Sequence, residues 1–299
     1  MKNKGLMAAL AAYFAWGFLP IFWRSLHGVP AIELLVNRVV WSLLFLGGAL
    51  LVRKRWEWVA MLRENPRRAA LFGLTAVLLS INWLTYIWAV NAGYIIETSL
   101  GYFINPLFNV LLGTIFLGER LRNGQWAAVA LATVGVLYLT ISYGTLPWIA
   151  LTLAFSFGFY GLLRKTAVLG AMEGLTMEML FLLPAAIFYL IYLEANGGGH
   201  FGHDGWTVTL LIVFSGLVTA VPLTLFSYGA RQLPLTTMGL LQYIAPTIQL
   251  LIGVLMFGEL FTGARVVGFS IIWLALILYS AEGLFVARHR RQVMDISNK

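Results

Sequence analysis

The sequence predicts an all-α integral membrane protein whose ten transmembrane helices form two inverted five-helix repeats. Three observations predict it. Of 299 residues, 60% are hydrophobic and only 11% charged, and the mean hydropathy is +0.85. A soluble globular chain carries about 45–50% apolar and roughly 25% charged residues. The apolar residues fall into ten runs, each long enough to cross a hydrocarbon core of about 30 Å as a helix. The two halves of the chain match at a fixed offset of 140 residues.

Taken in order, segment 1 covers 5–23 and follows Lys2 and Lys4. It is too long for the apolar region of a signal peptide, contains Trp16 and Pro20, and lacks a small-x-small cleavage site, so it reads as a helix. Segment 2 (33–52) carries Arg38, and segment 3 (69–90) follows a basic connection that includes Arg53, Lys54 and Arg55. Segments 4 (95–117), 5 (123–142) and 6 (146–163) complete and follow the first half. Segment 7 (173–193) holds Glu178, and a Gly197-Gly198-Gly199 connector with His200, His203 and Asp204 leads to segment 8 (207–229). That connector reads as a flexible polar link, with a metal site as the lesser alternative. Segments 9 (236–257) and 10 (264–286) follow, and 287–299 reads as a cytoplasmic tail.

The basic residues orient these spans. Of 20 lysines and arginines, 17 fall at the chain ends or in alternate connections, including Arg164, Lys165 and Arg231. Arg24 and Arg265 lie on the other side, and Arg38 lies within segment 2. This asymmetry places both termini in the cytoplasm. The net charge of +8 is then the charge of orienting connections, and no nucleic-acid partner is expected.

The repeat is visible in residues 100–119, LGYFINPLFNVLLGTIFLGE, against 240–259, LLQYIAPTIQLLIGVLMFGE. Pro106 meets Pro246, Gly113 meets Gly253, and Gly118-Glu119 meets Gly258-Glu259. The repeats are 1–142 and 146–286. Because each has an odd number of spans, the second inserts upside down relative to the first. Such inversion lets a chain exchange an outward-open for an inward-open state, as secondary transporters do.

Other functions lack their residues. There is no cysteine, hence no thiolate metal site or cysteine nucleophile. The only aspartates are Asp204 and Asp295, outside the spans, which excludes an intramembrane aspartyl protease. HExxH, GxSG and GxxxxGK motifs are absent, so zinc hydrolysis, a serine elbow and a P-loop pump lack support. No enzyme activity and no cofactor are expected. A channel or a non-transporting membrane scaffold is the alternative to a carrier.

Polar side chains inside a bilayer default to interior or functional positions. Glu97, Gly101, Asn105 and Asn109 recur every four residues along segment 4, on one helical face broken by Pro106. That face lines a cavity or packs the bundle by interhelical hydrogen bonds. Gln242 and Gln249 flank Pro246 in segment 9, and Asn82 and Tyr86 share a face of segment 3. Tyr102 and Tyr243 join the candidates from segments 4 and 9. Trp16 belongs to a stripe with Tyr13, Pro20 and Trp23 that offers either stacking or core packing, with Trp23 read as an interfacial anchor. Arg38 and Glu178 occupy repeat-equivalent positions. At 1.5 Å per residue each lies roughly 8 Å deep from opposite faces, so they read as guards of two mouths or as snorkelling charges. Glu119 and Glu259 read as local caps, while Glu97, Glu178 and Glu282 are the carboxylates open to a coupling proton.

The stretch Asn82-Trp83-Leu84-Thr85-Tyr86-Ile87-Trp88-Ala89-Val90-Asn91, followed by Glu97-Thr98-Ser99-Leu100-Gly101-Tyr102-Phe103-Ile104-Asn105-Pro106-Leu107, resembles the RarD branch of the EamA-type transporters, within the drug/metabolite transporter superfamily. The resemblance covers nearly the whole chain. It implies ten helices around a central cavity lined by segments 1–4 and 6–9, with segments 5 and 10 peripheral and available for a homodimer. It also implies a bacterial inner-membrane secondary transporter, an exporter of small organic metabolites or drugs working by alternating access. Its expected partners are a small-molecule substrate and the lipid bilayer.

Overall fold

The computed structural model describes residues 2–54, 57–59, 66–92, 94–143, 147–257 and 263–297. Among the described residues the regular structure is helical and there is no strand. The helices are α1 (Lys2–Arg24), α2 (Ala31–Val52), α3 (Pro66–Asn91), α4 (Ile95–Leu117), α5 (Asn123–Tyr143) and α6 (Trp148–Thr166). They continue with α7 (Ala171–Ala195), α8 (Trp206–Gln232), α9 (Leu235–Gln242), α10 (Ile244–Phe257) and α11 (Gly263–Ser297). Among the described residues, nine helical stretches are long and apolar enough to cross a membrane, with α9 and α10 counted together. The sixth expected segment forms α6, which is not among the nine and carries Arg164 and Lys165 in its last turn. Side chains such as Phe116, Ile141, Phe188, Leu255 and Ile277 point outward and are exposed. An outer surface of this kind is stable in lipid and not in water. The protein is therefore a multi-pass membrane protein.

Two elements differ from the pattern read in the sequence. Segment 9 is two helices, broken at Tyr243. Pro246 has no N–H for the Gln242 carbonyl, so the α-helical ladder is interrupted one turn before the proline, and Tyr243 N–H turns to the Leu240 carbonyl at 3.3 Å. The stretch read as a tail from residue 287 continues α11 as helix to Ser297.

The packing is exchanged between the halves. α1 lies against α8, and α6 lies against α3. α2 packs on α8 as α7 packs on α3, and α4 packs on α6 as α9 and α10 pack on α1. The remaining close pairs, α2 with α7, α4 with α9 and α5 with α11, join equivalent helices of the two halves. One core, with Tyr13, Leu79, Tyr160, Met179 and Phe226, sits between the halves. A second, with Phe103, Val136, Tyr243 and Ile272, ties α5 and α11 to α4 and α9.

Helices in lipid associate where small residues let backbones approach. At the α2–α8 crossing a Cβ on Gly216 would lie 2.5 Å from Trp41 Cβ and 2.7 Å from Ser42 N. The Gly216 carbonyl accepts the Ser42 hydroxyl at 3.0 Å. Gly216→Ala should therefore destabilise the protein by about 1–3 kcal/mol through overpacking. Thermal melting of the purified protein checks this, and an unchanged melting temperature would contradict the close approach.

Candidate functional site

The half of the bundle toward the α1–α2, α3–α4 and α5–α6 connections holds a cavity of about 120 Å³. Its walls come from the second halves of α1 and α3, the first halves of α2, α4 and α6, the middle of α8 and the α9–α10 joint. Antiparallel neighbours bring those portions to one end. α5, α7 and α11 contribute none of its described lining residues.

Arg38 is the one charged side chain among the described lining residues. Its Nε–H donates to Thr219 Oγ1 at 2.8 Å, and the Thr219 hydroxyl donates onward to the Ser215 carbonyl at 2.8 Å. The guanidinium carbon lies 4.9 Å from the Trp23 ring centroid and 4.5 Å from that of Trp83. Cation–π contacts of this kind hold a guanidinium without neutralising it. No carboxylate pairs with Arg38 among the described residues. The side chain thus turns into the cavity instead of snorkelling to a helix end. Trp23, read as an interfacial anchor, lines the same cavity because its ring is drawn to Arg38.

A set of amides lines the middle of the bundle. Asn109 lies behind the cavity wall and donates Nδ2–H to Asn105 Oδ1 at 3.1 Å and to Gln242 Oε1 at 2.9 Å. Its own Oδ1 has no partner. Turned the other way, the Asn109 amide would bury two partnerless donors, a costlier arrangement than one bare carbonyl oxygen. The bonds leave the amino ends of Asn105 and Gln242 to the cavity that both residues line. Asn82 Nδ2 donates to the Leu153 carbonyl and to Ser156 Oγ, each at 3.0 Å, and Gln249 Nε2 donates to the Trp16 carbonyl at 2.9 Å. Tyr86 and Tyr102 meet edge-on across the cavity wall, with centroids 5.9 Å apart.

Below the cavity, toward the end where α1 begins and α6 and α8 finish, the bundle is closed. Trp16 packs on Tyr13, Phe157 and Phe226 with centroids 5.7, 5.6 and 5.5 Å apart, and Tyr160 stacks on Phe226 at 6.3 Å. Beneath that layer lies a fully buried ion pair, Arg164 Nε to Glu178 Oε1 at 3.5 Å, both side chains 0% exposed. Thr75 donates to Glu178 Oε1 at 2.8 Å and the Tyr160 hydroxyl donates to Oε2 at 3.2 Å. Arg164 also donates to Ser227 Oγ at 3.3 Å and to the carbonyls of Gly170 and Ala171. Gly174 makes the room, since a Cβ there would stand 1.9 Å from Arg164 Nη1.

Of the residues singled out by sequence, Trp16, Arg38, Asn82, Tyr86, Tyr102, Asn105, Gln242 and Gln249 line the cavity. Asn109 stands one layer behind. Tyr243 is in the second core, donating to the Phe103 carbonyl at 3.1 Å. Glu178, expected at a mouth of the pathway, is instead sealed in the closed half. Its partner Arg164, read as a connection charge, enters the bundle because α6 continues to Thr166. Lys165 and Arg231 are also occupied: Lys165 donates to the Ala230 carbonyl at 3.0 Å and to that of Leu233, and Arg231 donates to the carbonyls of Ala167 and Leu169. The Glu97 side chain and Glu259 lie outside what is described.

Glu119, Glu282 and Glu33 have partners as well. Glu119 is no local cap: it receives Leu235 N–H at 2.6 Å and Thr236 N–H at 2.9 Å, so it caps α9 from the other half. Glu282 pairs with Arg122 through two bonds of 2.6 Å. Glu33, overlooked in the sequence, is buried and receives the His200 backbone N–H at 2.8 Å, with His200 Nδ1 2.7 Å away. It pins the glycine connector, and His203 faces Glu194 at 3.1 Å.

Among the lining residues that sequence reading missed, Trp83 adjoins Asn82. Thr219 lies one turn after Ser215 in a span without polar periodicity, so only the neighbouring Arg38 reveals it.

Comparison with known proteins adds the lineage. The pattern of the EamA-like transporter family matches residues 3–141 and again 146–281. Protein RarD of Streptomyces exfoliatus is 46% identical, with 98% of this chain and 93% of that protein aligned. An uncharacterized transporter of Vibrio cholerae is 46% identical over 94% of this chain and 93% of its own. A solved crystal structure, 18% identical, superposes with a TM-score of 0.68 over 93% of this chain and 97% of the other, which shows a shared fold. The chain belongs to the EamA-like transporter family.

Proposed function

We propose that the protein is a secondary transporter of small organic molecules that works by alternating access in a bacterial inner membrane. Its ten spans, α6 and the α9–α10 pair among them, form two inverted repeats with both termini in the cytoplasm. One observation carries this reading: the cavity occupies one half of the bundle, while aromatic packing and the Arg164–Glu178 pair close the other. The exchanged packing of equivalent helices supports two interconvertible arrangements of that kind. In this orientation the cavity faces the periplasm.

Counterflow in proteoliposomes tests the reading. A carrier shows saturable exchange of a labelled solute against its unlabelled form, without ATP. Unsaturable flux would mark a channel, and absence of flux for every solute that binds would mark a scaffold. For topology, reporter domains fused after Lys299 and inserted at Gly198 should report opposite sides of the membrane. A shared side would contradict the inverted ten-span arrangement.

A further inference from the structure

We infer that the cavity selects a single-ring organic anion, one carboxylate on a planar ring that also bears a second hydrogen-bond acceptor. The idea that such a molecule is cargo rests on the transporter reading above; the site itself does not.

Charge gives the first part. Arg38 is the sole charged group among the described lining residues, none of which is acidic. Its Nε–H is spent on Thr219 and its face on two indoles, while its terminal N–H groups make no hydrogen bond within the described chain. A guanidinium so held keeps its fork available for a carboxylate. An amine or a zwitterion would bring an ammonium to a cavity whose described lining holds a cation and no counter-charge for it.

Shape gives the second part. Trp16, Trp23, Trp83, Tyr86 and Tyr102 line the space. Its volume of about 120 Å³ is close to the roughly 150 Å³ of a cavity that admits benzene. The amides give the third part. Asn105 and Gln242 are only 3% and 5% exposed. Asn109 occupies both of their oxygens, so what they present to the cavity are donors without partners. Buried donors of this kind favour a ligand with a nitro, carbonyl or ether oxygen over one that lacks it.

The test is calorimetric titration of the purified protein in nanodiscs with matched probes: 3- and 4-nitrobenzoate, benzoate, 4-nitrobenzamide and 4-nitrobenzylamine. The expected result is that the tighter nitrobenzoate binds about tenfold or more better than the neutral amide, with the amine weakest. Benzoate should fall below the nitrobenzoates. Arg38→Gln should erase the preference for acid over amide, Arg38→Lys should restore part of it, and Gln242→Leu should erase the preference for the nitro group. Equal binding of acid and amide, preference for the amine, or no binding of any acid at millimolar concentration would overturn the anion site. Acid binding without a nitro preference would overturn the role given to Asn105 and Gln242. Counterflow of the same acid separates this inference from the transporter reading. Binding without counterflow contradicts carriage and upholds the site, whereas counterflow of a neutral or cationic solute with no acid binding does the reverse.

Discussion

Arg164→Met should lower the stability of the purified protein by about 3–5 kcal/mol, because it strands Glu178 as an unpaired charge in a closed interior. Both side chains are 0% exposed, and the carboxylate keeps only the Thr75 and Tyr160 hydroxyls. Glu178→Leu should be similarly costly, since Arg164 would lose its counter-charge. The double replacement should recover most of either loss, as exchanging a whole buried pair for apolar groups is often neutral. Thermal melts of the two single variants and the double variant form a double-mutant cycle. If the single effects simply add, the two charges are not coupled and the closed half is held by packing alone. Gly174→Ala should imitate the loss in part by crowding Arg164 Nη1.

The second large effect is on transport. An arginine within the bilayer costs at least about 2.5–3.5 kcal/mol on insertion scales. The Thr219 bond and the two indoles offset part of this. Arg38→Gln removes the charge-assisted contact to an anionic cargo, a loss of about 1.5–3 kcal/mol, which is roughly 10- to 150-fold in apparent affinity. It should leave the melting temperature nearly unchanged. Arg38→Lys should recover only part of transport, since an ammonium lacks the planar fork. Rates and apparent affinities of counterflow, with expression and melting as controls, check this. Full transport by Arg38→Gln would reject the role of Arg38.

Much of the fold is legible in the sequence because lipid makes the code simple: long apolar runs, separated by connections that carry most of the basic residues. The break at Tyr243 is not, since Pro246 marks a missing bond but only packing decides between kink and break. Pro106 shows the contrast, lying inside the uninterrupted α4.

The candidate site divides along the same line. Asn82, Tyr86, Asn105 and Gln242 reveal themselves through spacing along their own helices, and all four line the cavity. Arg164 is hidden in the sequence because two basic residues at the end of an apolar run look like a connection. Glu178 reads as a mouth residue because depth along one helix says nothing about what stands opposite. Trp23 looked interfacial by its position near a helix end, and its contact with Arg38 comes from a different helix. Contacts between helices carry these assignments, and periodicity within one helix does not contain them.

Alternating access is tested most directly by labelling a single cysteine, which the absence of native cysteine makes clean. Val218 lines the cavity from α8, so Val218→Cys is treated with a membrane-impermeant maleimide in right-side-out and in inside-out vesicles. Labelling should occur from the periplasmic side with the Arg164–Glu178 pair intact. In the Arg164→Met background, which strands Glu178 in the closed half, it should rise from the cytoplasmic side and fall from the periplasmic side. Simultaneous labelling from both sides with the pair intact, or no reciprocal change when the pair is broken, would contradict the account.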